Sequence, residues 1–525
     1  MNPKIILTTL NAKYHHSSFG LRYLFANLKE LRESTQLIEF TLSQNPRDIA
    51  EAILTYNAKI VGFGIYIWNT EQSLKIISIL KKIKPQLLIV LGGPEVSYES
   101  ENQSICQAAD FIIQGEADFL FYEFCRNFLT DSKLPSKKWI SGILPNVKEI
   151  ASPYSYYTEN DIRHRVIYVE ASRGCPYKCE YCLSSLDKSV RNFDLDSFMT
   201  DMNELIQRGA KQFKFVDRTF NLSISTSTQI LKFFLDRISI GLFLHFEMVP
   251  DRLPLEIREL IQKFPPGSLQ FEIGIQTWNP EVSQRVSRKQ DLVKIQENFK
   301  FLTQETGVHI HADLIAGLPG ESLESFANGF DAISLLNPHE IQLGILKRLK
   351  GTPIIRHNEE WAMIYQDDPP FQILQTKTMN FETIQKIGRF AQFWNLYANS
   401  GNFKNTLNLI KAAPNALGNS SWFWKFFRFS EYLSNRHPQG NGISLIHLVE
   451  SAWIFLIDHL NISDEFARSA LIQDYTGKIK RDIPSFLRPA QKKTRKTYKS
   501  TTNQEKNPLL HTPQRQMRHL ITNSS

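Results

Sequence analysis

Three cysteines stand close together in the stretch Ser172-Arg-Gly-Cys-Pro-Tyr-Lys-Cys-Glu-Tyr-Cys182, directly after an apolar, β-branched run. Cys175, Cys179 and Cys182 form a C-x3-C-x2-C array of thiolates, which are soft ligands for zinc or iron–sulfur clusters. A structural zinc site needs four protein ligands, and a [4Fe–4S] cluster normally takes four cysteines. Because only three are clustered, we predict a cubane with one iron open to a further ligand. The alternative is a zinc knuckle completed by a histidine such as His164.

The other two cysteines, Cys106 and Cys125, lie far upstream in segments that are predicted to be helical and apolar. An odd number of cysteines, with three at ligand spacing, does not suggest a disulfide framework and fits a reducing compartment. No run of eighteen or more apolar residues predicts a membrane-spanning helix. The short apolar stretch near Met1 predicts a first strand rather than a signal peptide. We therefore expect a cytoplasmic protein.

The net charge of +8 is unevenly distributed. Residues 476–525 contain 12 Lys or Arg against 2 Asp or Glu, so the remainder of the chain is close to neutral. A globular part that is close to neutral does not indicate the basic surface that binds nucleic acid. Residues 485–525 contain few apolar side chains, and we expect a disordered basic tail. Such a tail is either a solvated end or a weak contact for RNA or acidic lipid.

Residues 1–135 alternate between apolar strands and helical patterns, which is typical of a doubly wound, Rossmann-like parallel sheet. The predicted strands are residues 4–10, 59–67, 87–91 and 111–113, with helices near residues 70–83 and 116–129. Such sheets bind ligands at the carboxyl ends of their strands. Here those ends carry Gly92, Gly93, Gly115 and Glu116, where the backbone can approach a ligand closely. Residues 136–160 lack periodicity and predict a linker.

Residues 161–350 repeat a βα unit six times, which predicts a partial (β/α)6 TIM-like barrel. The predicted strands are residues 166–171, 212–217, 242–248, 268–275, 308–316 and 340–346. Polar residues such as His245, Glu272 and Asp313 alternate with apolar ones along these strands. Unpaired polar groups are costly to bury. We therefore expect an open lumen that holds a polar ligand; the alternative is a set of core groups that hydrogen-bond to one another.

Residues 351–484 lose the βα rhythm and predict a mainly helical domain. The predicted helices are residues 361–371, 381–397, 407–412, 422–433 and 443–460. In the densely aromatic stretch from Trp422 to Tyr432, apolar side chains are distributed nearly all around the predicted helix, which favours a buried helix. A lid over an apolar substrate or a membrane-surface contact is the alternative.

The cysteine array resembles the signature of the radical S-adenosylmethionine (SAM) superfamily, CxxxCxΦC, with Tyr181 in the aromatic position. This resemblance implies that the three cysteines hold a catalytic cluster whose fourth iron is chelated by SAM. Reductive cleavage of SAM then gives a 5′-deoxyadenosyl radical that abstracts hydrogen from a substrate. A cofactor of this kind carries the difficult chemistry, and the protein supplies binding and orientation.

Further segments resemble the SAM-binding strands of this superfamily. Asp217 closes the second strand, where the family holds the SAM amino group, although the sequence there is Val-Asp-Arg and not the common GGE. Glu272 and Gln276 occupy the fourth strand, which contacts the ribose or the methionine end. Asp313 and Gly317 belong to a stretch that resembles the glycine-rich fifth-strand segment beside the adenine and ribose.

The order V-G-F-G, L-G-G-P-E, Q-G-E ahead of this core resembles the cobalamin-binding domain of B12-dependent radical SAM proteins, in an uncharacterised branch with a C-terminal helical domain. The resemblance assigns the three glycines and Glu116 named above to cobalamin. The loop from Lys13 to Ser18 shares only His15 with the older cobalamin motif DxHxxG, so we expect no histidine on cobalt and interpret His15 and His16 as loop or substrate-facing residues. The alternative is a Rossmann-like domain without cofactor.

Together these resemblances imply a cobalamin-dependent radical SAM enzyme that methylates an unactivated carbon of a small-molecule or peptide substrate. Oxidation, cyclisation or rearrangement without methyl transfer is the alternative within this class. The electron donor would be a flavodoxin or ferredoxin. Methylthiolation of tRNA is disfavoured, because Cys106 and Cys125 cannot supply the second cluster it requires. A hypothesis of another class is a non-catalytic protein that senses iron–sulfur or cobalamin status or associates with nucleic acid.

Overall fold

A computed structural model describes residues 3–414, 421–477, 481–488 and 513–520 of the chain. It contains two six-stranded parallel sheets, followed by a mainly helical region. The mixed α/β fold class expected from the sequence is confirmed. In this part of the chain, no helix is both long and apolar enough to cross a membrane.

The first sheet has the strand order β2-β1-β3-β4-β5-β6, and all of its neighbouring strands are parallel. Its strands are β1 (Ile5–Asn11), β2 (Thr35–Thr41), β3 (Ile60–Gly64), β4 (Leu88–Gly92), β5 (Phe111–Gln114) and β6 (Trp139–Ser141). Its helices are α1 (Phe19–Ala26), α2 (Pro46–Thr55), α3 (Thr70–Ile83), α4 (Ser104–Ala108) and α5 (Leu120–Asp131). The strand order reverses between β1 and β3, which is where doubly wound sheets open a crevice for ligands.

Three elements of this domain were missed by the sequence analysis. β2 alternates polar and apolar residues at the sheet edge, and α2 follows it after an Asn45 cap that accepts from Arg47 N. β6 pairs with β5 inside the segment 136–160 that was predicted to be a linker. A strand of three residues is too short to give a periodic signal, so only its pairing defines it.

The sheet separates two hydrophobic clusters, because successive side chains of a strand point to opposite faces. Ile6 belongs to one cluster together with Cys106, and Ile5 belongs to the other together with Cys125. Both cysteines are fully buried, with no exposed surface. They therefore lie on opposite faces of the sheet, where they cannot hold one cluster together.

The second sheet has the strand order β14-β13-β12-β11-β10-β7, which is the open, partial barrel predicted from the sequence. Its strands are β7 (Ile167–Val169), β10 (Gln212–Phe215), β11 (Phe243–Met248), β12 (Leu269–Gln276), β13 (His309–Ala316) and β14 (Glu340–Ile345), and the short antiparallel pair β8 (Ser172–Arg173) and β9 (Arg191–Asn192) flanks the cysteines. The helices are α6 (Glu159–His164), α7 (Leu195–Gln207), α8 (Ile224–Leu235), α9 (Leu255–Ile261), α10 (Pro280–Arg285), α11 (Leu292–Glu305) and α12 (Leu323–Leu335).

The alternation along the barrel strands separates an apolar outer face from a polar lumen. Phe246 and Phe271 face the helices and are fully buried. His245 Nε2 lies 2.9 Å from Glu272 Oε2, and Lys214 Nζ lies 3.4 Å from the same oxygen. The sequence predicted either an open lumen or a set of polar core groups that hydrogen-bond to one another. Each expectation holds in part, because some inward residues pair with one another while others line a cavity.

The C-terminal region contains the hairpin of β15 (Ile364–Tyr365) and β16 (Ile373–Gln375), followed by helices. These helices are α13 (Phe381–Trp394), α14 (Lys404–Ala412), α15 (Trp422–Arg436), α16 (Leu445–Ile454), α17 (Asp464–Thr476) and α18 (Gln514–Leu520). The predicted helix at 361–371 is wrong, because Pro369 and Pro370 interrupt it and the chain turns back as a hairpin. In α15, Phe423, Phe426 and Phe429 are fully buried, as the burial interpretation predicted.

The prediction of a disordered tail is wrong for residues 513–520, which contain helix α18. Arg515 Nη2 lies 2.6 Å from Glu340 Oε2, and Gln516 Nε2 donates to Gln270 Oε1 at 2.6 Å. Glu340 and Gln270 stand at the amino ends of β14 and β12. The helix therefore covers the end of the barrel at which the strands begin, called the lower end below. It does so through polar contacts that the composition of the chain does not reveal. Residues 485–488 are described too, and Leu487 is fully buried in a short 3-10 helix (Ser485–Leu487), so the prediction is wrong for them as well. The remaining residues of the predicted tail, 489–512 and 521–525, lie outside the described residues.

Candidate active site

The cysteine loop leaves the carboxyl end of β7 and is held by its own backbone. Cys175 N donates to Asp187 O at 3.0 Å, and Cys182 N donates to Cys179 O at 3.1 Å. Gly174 has a φ of +89°, and a Cβ there would collide with the carbonyl of Ser189. Glycine is therefore required for the tight start of this loop.

All three cysteines line one cavity of about 250 Å³ at the carboxyl ends of the barrel strands. Tyr181 lines it too, as do three further residues predicted to bind SAM: Glu272, Gln276 and Asp313. Cys175 and Cys179 are 8% and 7% exposed, so their thiols are shielded from bulk water yet face the cavity. The structure thus brings together predicted site residues from the cysteine loop and from two strands, β12 and β13.

The sequence left two metal sites open for these thiols, a cubane cluster and a zinc knuckle. Among the described residues, no three His, Cys, Asp or Glu side chains converge as they would around a single metal ion. In a cubane, each cysteine binds a different iron, so the sulfurs need not converge. His164 is exposed on α6, which precedes β7, whereas the cysteines follow that strand. His164 therefore stands at the opposite end of β7 from the cysteines, which argues against the zinc knuckle that it would complete.

Arg288 places a cation beside the cysteines and was missed by the sequence analysis. Its Nη1 lies 3.5 Å from Cys179 Sγ and 3.3 Å from the Tyr181 hydroxyl, and its Nη2 donates to the carbonyl of Gly274. Arg288 is 109 residues from Cys179 in the chain, so no local pattern relates them. A guanidinium in this position stabilises thiolate charge.

The carboxylates of the cavity differ in their protonation. Burial, with the charges of Glu272 and Glu247, raises the pKa of Asp313 well above its ordinary value. Burial opposes the ionisation of Glu272 as well, but the hydrogen bond to His245 and the charge of Lys214 hold its pKa below the usual range. Glu272 therefore presents an ionised carboxylate to a positively charged group of a ligand. Three basic side chains also line the cavity and suit a negatively charged group: Arg218, Arg288 and Lys289.

Two residues predicted to bind SAM do not line this cavity. Asp217 is 3% exposed and accepts from Ala171 N at 3.0 Å and from Ser172 Oγ at 2.7 Å, so it braces the root of the cysteine loop. Burial raises its pKa to about 7. Gly317 has a φ of +88°, and a Cβ there would meet Ile373 of β16. It allows the C-terminal hairpin to approach the barrel, and its contact with SAM stays a prediction.

Glu180, between Cys179 and Tyr181, ties the cysteine loop to the chain that follows the barrel. Its carboxylate accepts from Ser287 Oγ, lies 2.5 Å from Arg356 Nη2 and lies 2.9 Å from His357 Nε2. It is 3% exposed, so these bonds form inside the protein. Neither its burial nor its partners follow from the cysteine spacing.

A second cavity of about 200 Å³ lies at the carboxyl ends of the first sheet. Its lining includes all four residues that the resemblance assigned to cobalamin: Gly92, Gly93, Gly115 and Glu116. A Cβ on Gly115 would meet no atom within 4 Å, so the backbone there faces open space. None of the described lining residues is a histidine. His15 is exposed, and His16 Nδ1 lies 2.6 Å from the Tyr168 hydroxyl of β7.

Arg173 connects the two cavities. It lines the glycine-rich cavity and stands two residues before Cys175. Its guanidinium lies 2.9 Å from carboxylates of Glu116 and Asp118, on the first domain, and 2.9 Å from Glu170 of the barrel. Bidentate and networked arginine–carboxylate contacts fix geometry as well as charge. This arginine therefore ties the wall of the glycine-lined cavity to the start of the cysteine loop.

Three family descriptions match successive parts of the chain. "B12 binding domain" matches residues 5–124, "Radical SAM superfamily" matches residues 169–333, and "Protein of unknown function (DUF4080)" matches residues 359–523. The first two ranges contain the two cavities, and the third contains the helical region with α18.

Known proteins resemble the chain at low identity. An "uncharacterized methyltransferase" of Pyrococcus horikoshii is 24% identical over 71% of the chain and 86% of its own length. The "cobalamin-dependent radical SAM methyltransferase TokK" of Streptomyces tokunonensis is 22% identical over 55% of the chain and 47% of its own length. Among solved structures, the "cobalamin-dependent S-adenosylmethionine radical enzyme OxsB" aligns with a TM-score of 0.59 at 13% identity, over 90% of the chain and 78% of OxsB. This last likeness shows a shared fold.

Proposed function

The chain is a B12-binding radical SAM protein that carries a DUF4080 domain, and we propose that it is a methyltransferase acting on an unactivated carbon of a small-molecule or peptide substrate. One observation carries this proposal. Arg173 lines the glycine-lined cavity and stands two residues before Cys175 of the cysteine-lined cavity, so a substrate bound near this arginine would reach both. The Pyrococcus relative and TokK are both described as methyltransferases, which supports the proposal.

The residues of the two cavities suit the groups that this function requires. Cys175, Cys179 and Cys182 would hold three irons of a [4Fe–4S] cluster, and the cavity carboxylates with Gln276 would bind SAM. The four residues of the glycine-lined cavity named above would contact cobalamin. When bound, these cofactors supply one-electron cleavage of SAM and the methyl group, chemistry that side chains cannot perform.

The chain itself supplies charge, orientation and exclusion of water. Arg288 opposes the negative charge of the Cys179 thiolate. Asp217 and Glu180 hold the two ends of the cysteine loop in place. Glu272 would face the positive charge of SAM, and the basic side chains of the cavity would face its carboxylate. The low exposure of Cys175 and Cys179 limits the access of water to a reaction at this site. Helix α18 covers the opposite end of the barrel.

The test is anaerobic reconstitution with iron and sulfide, followed by incubation with a strong reductant, cobalamin and SAM labelled in its methyl group. The enzyme should form 5′-deoxyadenosine and, with an extract of cellular metabolites, a product that carries the label. Cys179→Ala should abolish both and lose iron, because the cluster then has two thiolate ligands. Cys106→Ala, which removes a buried thiol outside the site, is the matched control and should retain activity.

The remaining outcomes separate the alternatives. Formation of 5′-deoxyadenosine with an altered metabolite that carries no label would overturn methyl transfer in favour of oxidation, cyclisation or rearrangement. Binding of the cluster and cobalamin without SAM cleavage would indicate a sensing protein instead. Bound zinc in place of iron would overturn the whole proposal.

A further inference from the structure

A third cavity, of about 290 Å³, lies between the barrel and the C-terminal region. Its walls come from the carboxyl ends of α11 and α12, the first residues of β14, the end of α13, and helices α14, α15 and α18. The carboxyl ends of α11 and α12 lead into the amino ends of β13 and β14. The cysteines follow the carboxyl end of a barrel strand, so this cavity is at the opposite end of the barrel from the candidate active site.

The lining of this third cavity is rich in cations. Lys404, Lys411 and Arg518 contribute to it, whereas none of the described lining residues is Asp or Glu. Within the described parts of the chain, neither Lys404 nor Lys411 forms an ion pair. The two lysines place positive charge in a partly enclosed space whose described lining contains no carboxylate, which raises the local concentration of anions.

A buried hydrogen-bond donor without an acceptor in the described structure also lines this cavity, beside a neutral histidine. Trp394 is 6% exposed, and its Nε1–H has no hydrogen-bond partner in the described structure. His339 Nδ1 accepts from Ile310 N at 3.0 Å. Burial and the neighbouring His309 lower the pKa of His339 to about 3, so its ring is neutral and its proton sits on Nε2. A buried donor without an acceptor is costly, which favours an acceptor-bearing ligand.

Two indole rings complete the cavity. Trp394 and Trp422 both line it, with ring centroids 5.9 Å apart, and Trp422 is 8% exposed. Lys411 Nζ lies 5.9 Å from the centroid of the Trp422 ring. Indoles beside donors and cations are typical of pockets that enclose a small organic molecule through its apolar body and its polar end.

We propose that this cavity binds a small anionic metabolite, whose phosphate or carboxylate group is held by Lys404, Lys411, Arg518 and the Trp394 indole N–H. The site is distinct from the proposed methyl-transfer site and does not depend on it. Arg518 lies on α18, the helix that also places Arg515 against Glu340 at the lower end of the barrel. A bound anion would therefore contact both α14 and α18, and it would stabilise the packing of α18 against the lower end of the barrel.

The test is isothermal titration of the full-length protein, at constant ionic strength, with inorganic phosphate, with succinate and with glycerol as a neutral probe. Saturable binding of phosphate or of succinate, and none of glycerol, is expected, and the stronger of the two identifies the anionic group. The double variant Lys404→Ala/Lys411→Ala should weaken that binding by about tenfold or more, because each charged hydrogen bond contributes on that scale.

Two further variants make the test specific. Trp394→Phe keeps an aromatic ring but removes the N–H donor, and it should weaken binding by about fivefold. Lys300→Ala removes an exposed lysine of α11 that does not line the cavity, and it should leave binding unchanged. The proposal is overturned if neither anion saturates, if glycerol binds equally well, or if Lys300→Ala weakens binding as much as the double variant.

Discussion

Glu321 is a buried carboxyl in the turn that follows β13. It is 1% exposed, its Oε1 accepts from Thr277 Oγ1 at 2.6 Å, and its Oε2 has no hydrogen-bond partner in the described structure. Burial raises the pKa of Glu321 to about 7. A proton on the unpartnered oxygen is therefore more stable in the folded protein than in the unfolded chain.

This raised pKa predicts that stability falls as pH rises. Between the ordinary glutamate pKa of 4.5 and about 7, the folded state binds more protons than the unfolded state. Over that window, Glu321 should remove about 1.4 kcal/mol of stability per pH unit, and the loss should level off above pH 7. In Glu321→Gln this contribution should vanish. The measurement is the melting temperature of the wild type minus that of the variant, followed across the window.

The matched control for this residue is Glu324→Gln, an exposed glutamate on α12. This variant should melt close to the wild type, because the substitution changes an exposed side chain and leaves no buried group without a partner. A difference curve for Glu321→Gln that is flat across the window would show that the carboxyl stays ionised in the folded protein.

At the scale of an element, α18 is a short helix whose place is set by polar contacts. Arg515 Nη2 lies 2.6 Å from Glu340, whose side chain is 2% exposed. His519 packs against His309 with ring centroids 5.2 Å apart. Isolated helices of this length are unstable in water. The helix therefore owes its conformation to the barrel, and in return it covers a buried carboxylate.

We predict that Arg515→Ala uncovers the lower end of the barrel. Glu340 would lose its strongest cation while remaining buried, which should cost about 2–4 kcal/mol. Amide hydrogen exchange should then become faster at the amino ends of β13 and β14. Arg488→Ala, which removes an exposed arginine, is the control and should leave exchange unchanged. Unchanged protection in Arg515→Ala would show that α18 contributes nothing to this end of the barrel.

At the scale of the whole molecule, a buried ionic network joins the first domain to the barrel. Arg22 of α1 lies 2.8 Å from Glu39 of β2 and 2.8 Å from Asp161 of α6. Arg165 adds a second contact to Glu39 at 3.0 Å. The side chains of Arg22, Glu39 and Asp161 are 3–6% exposed. Buried charges are stable only when each has its partner, because removal of one leaves the others uncompensated inside the protein.

Removal of one member should therefore loosen the contact between the two domains. Arg22→Met keeps most of the side-chain volume but leaves two buried carboxylates without their shared cation, at a cost of about 3–5 kcal/mol. Differential scanning calorimetry should show a lower melting temperature for the unit that contains the first sheet. Arg47→Met, on the exposed side of α2, should melt like the wild type. Equal melting of both variants would contradict a role of the network in domain contact.

The sequence alone predicted both sheets, all six barrel strands to within two residues at each end, and the cysteine-lined site. These features are local. Thiolate spacing, apolar runs and period-two alternation are set by neighbouring residues, so they can be recognised without knowing the fold. Glu272 and Asp313 were placed correctly because a strand's alternation also determines which face is the lumen.

Only the tertiary structure decided the features that depend on distant partners. Arg288 reaches Cys179 across 109 residues, Gly317 meets Ile373 and not the cavity, and α18 returns to the barrel after a stretch of basic composition. Each of these contacts is made between segments that share no periodic pattern, and its stability comes from burial and charge in the folded chain. For that reason the chemistry of the cysteines could be predicted from the sequence, whereas the groups that surround them could not.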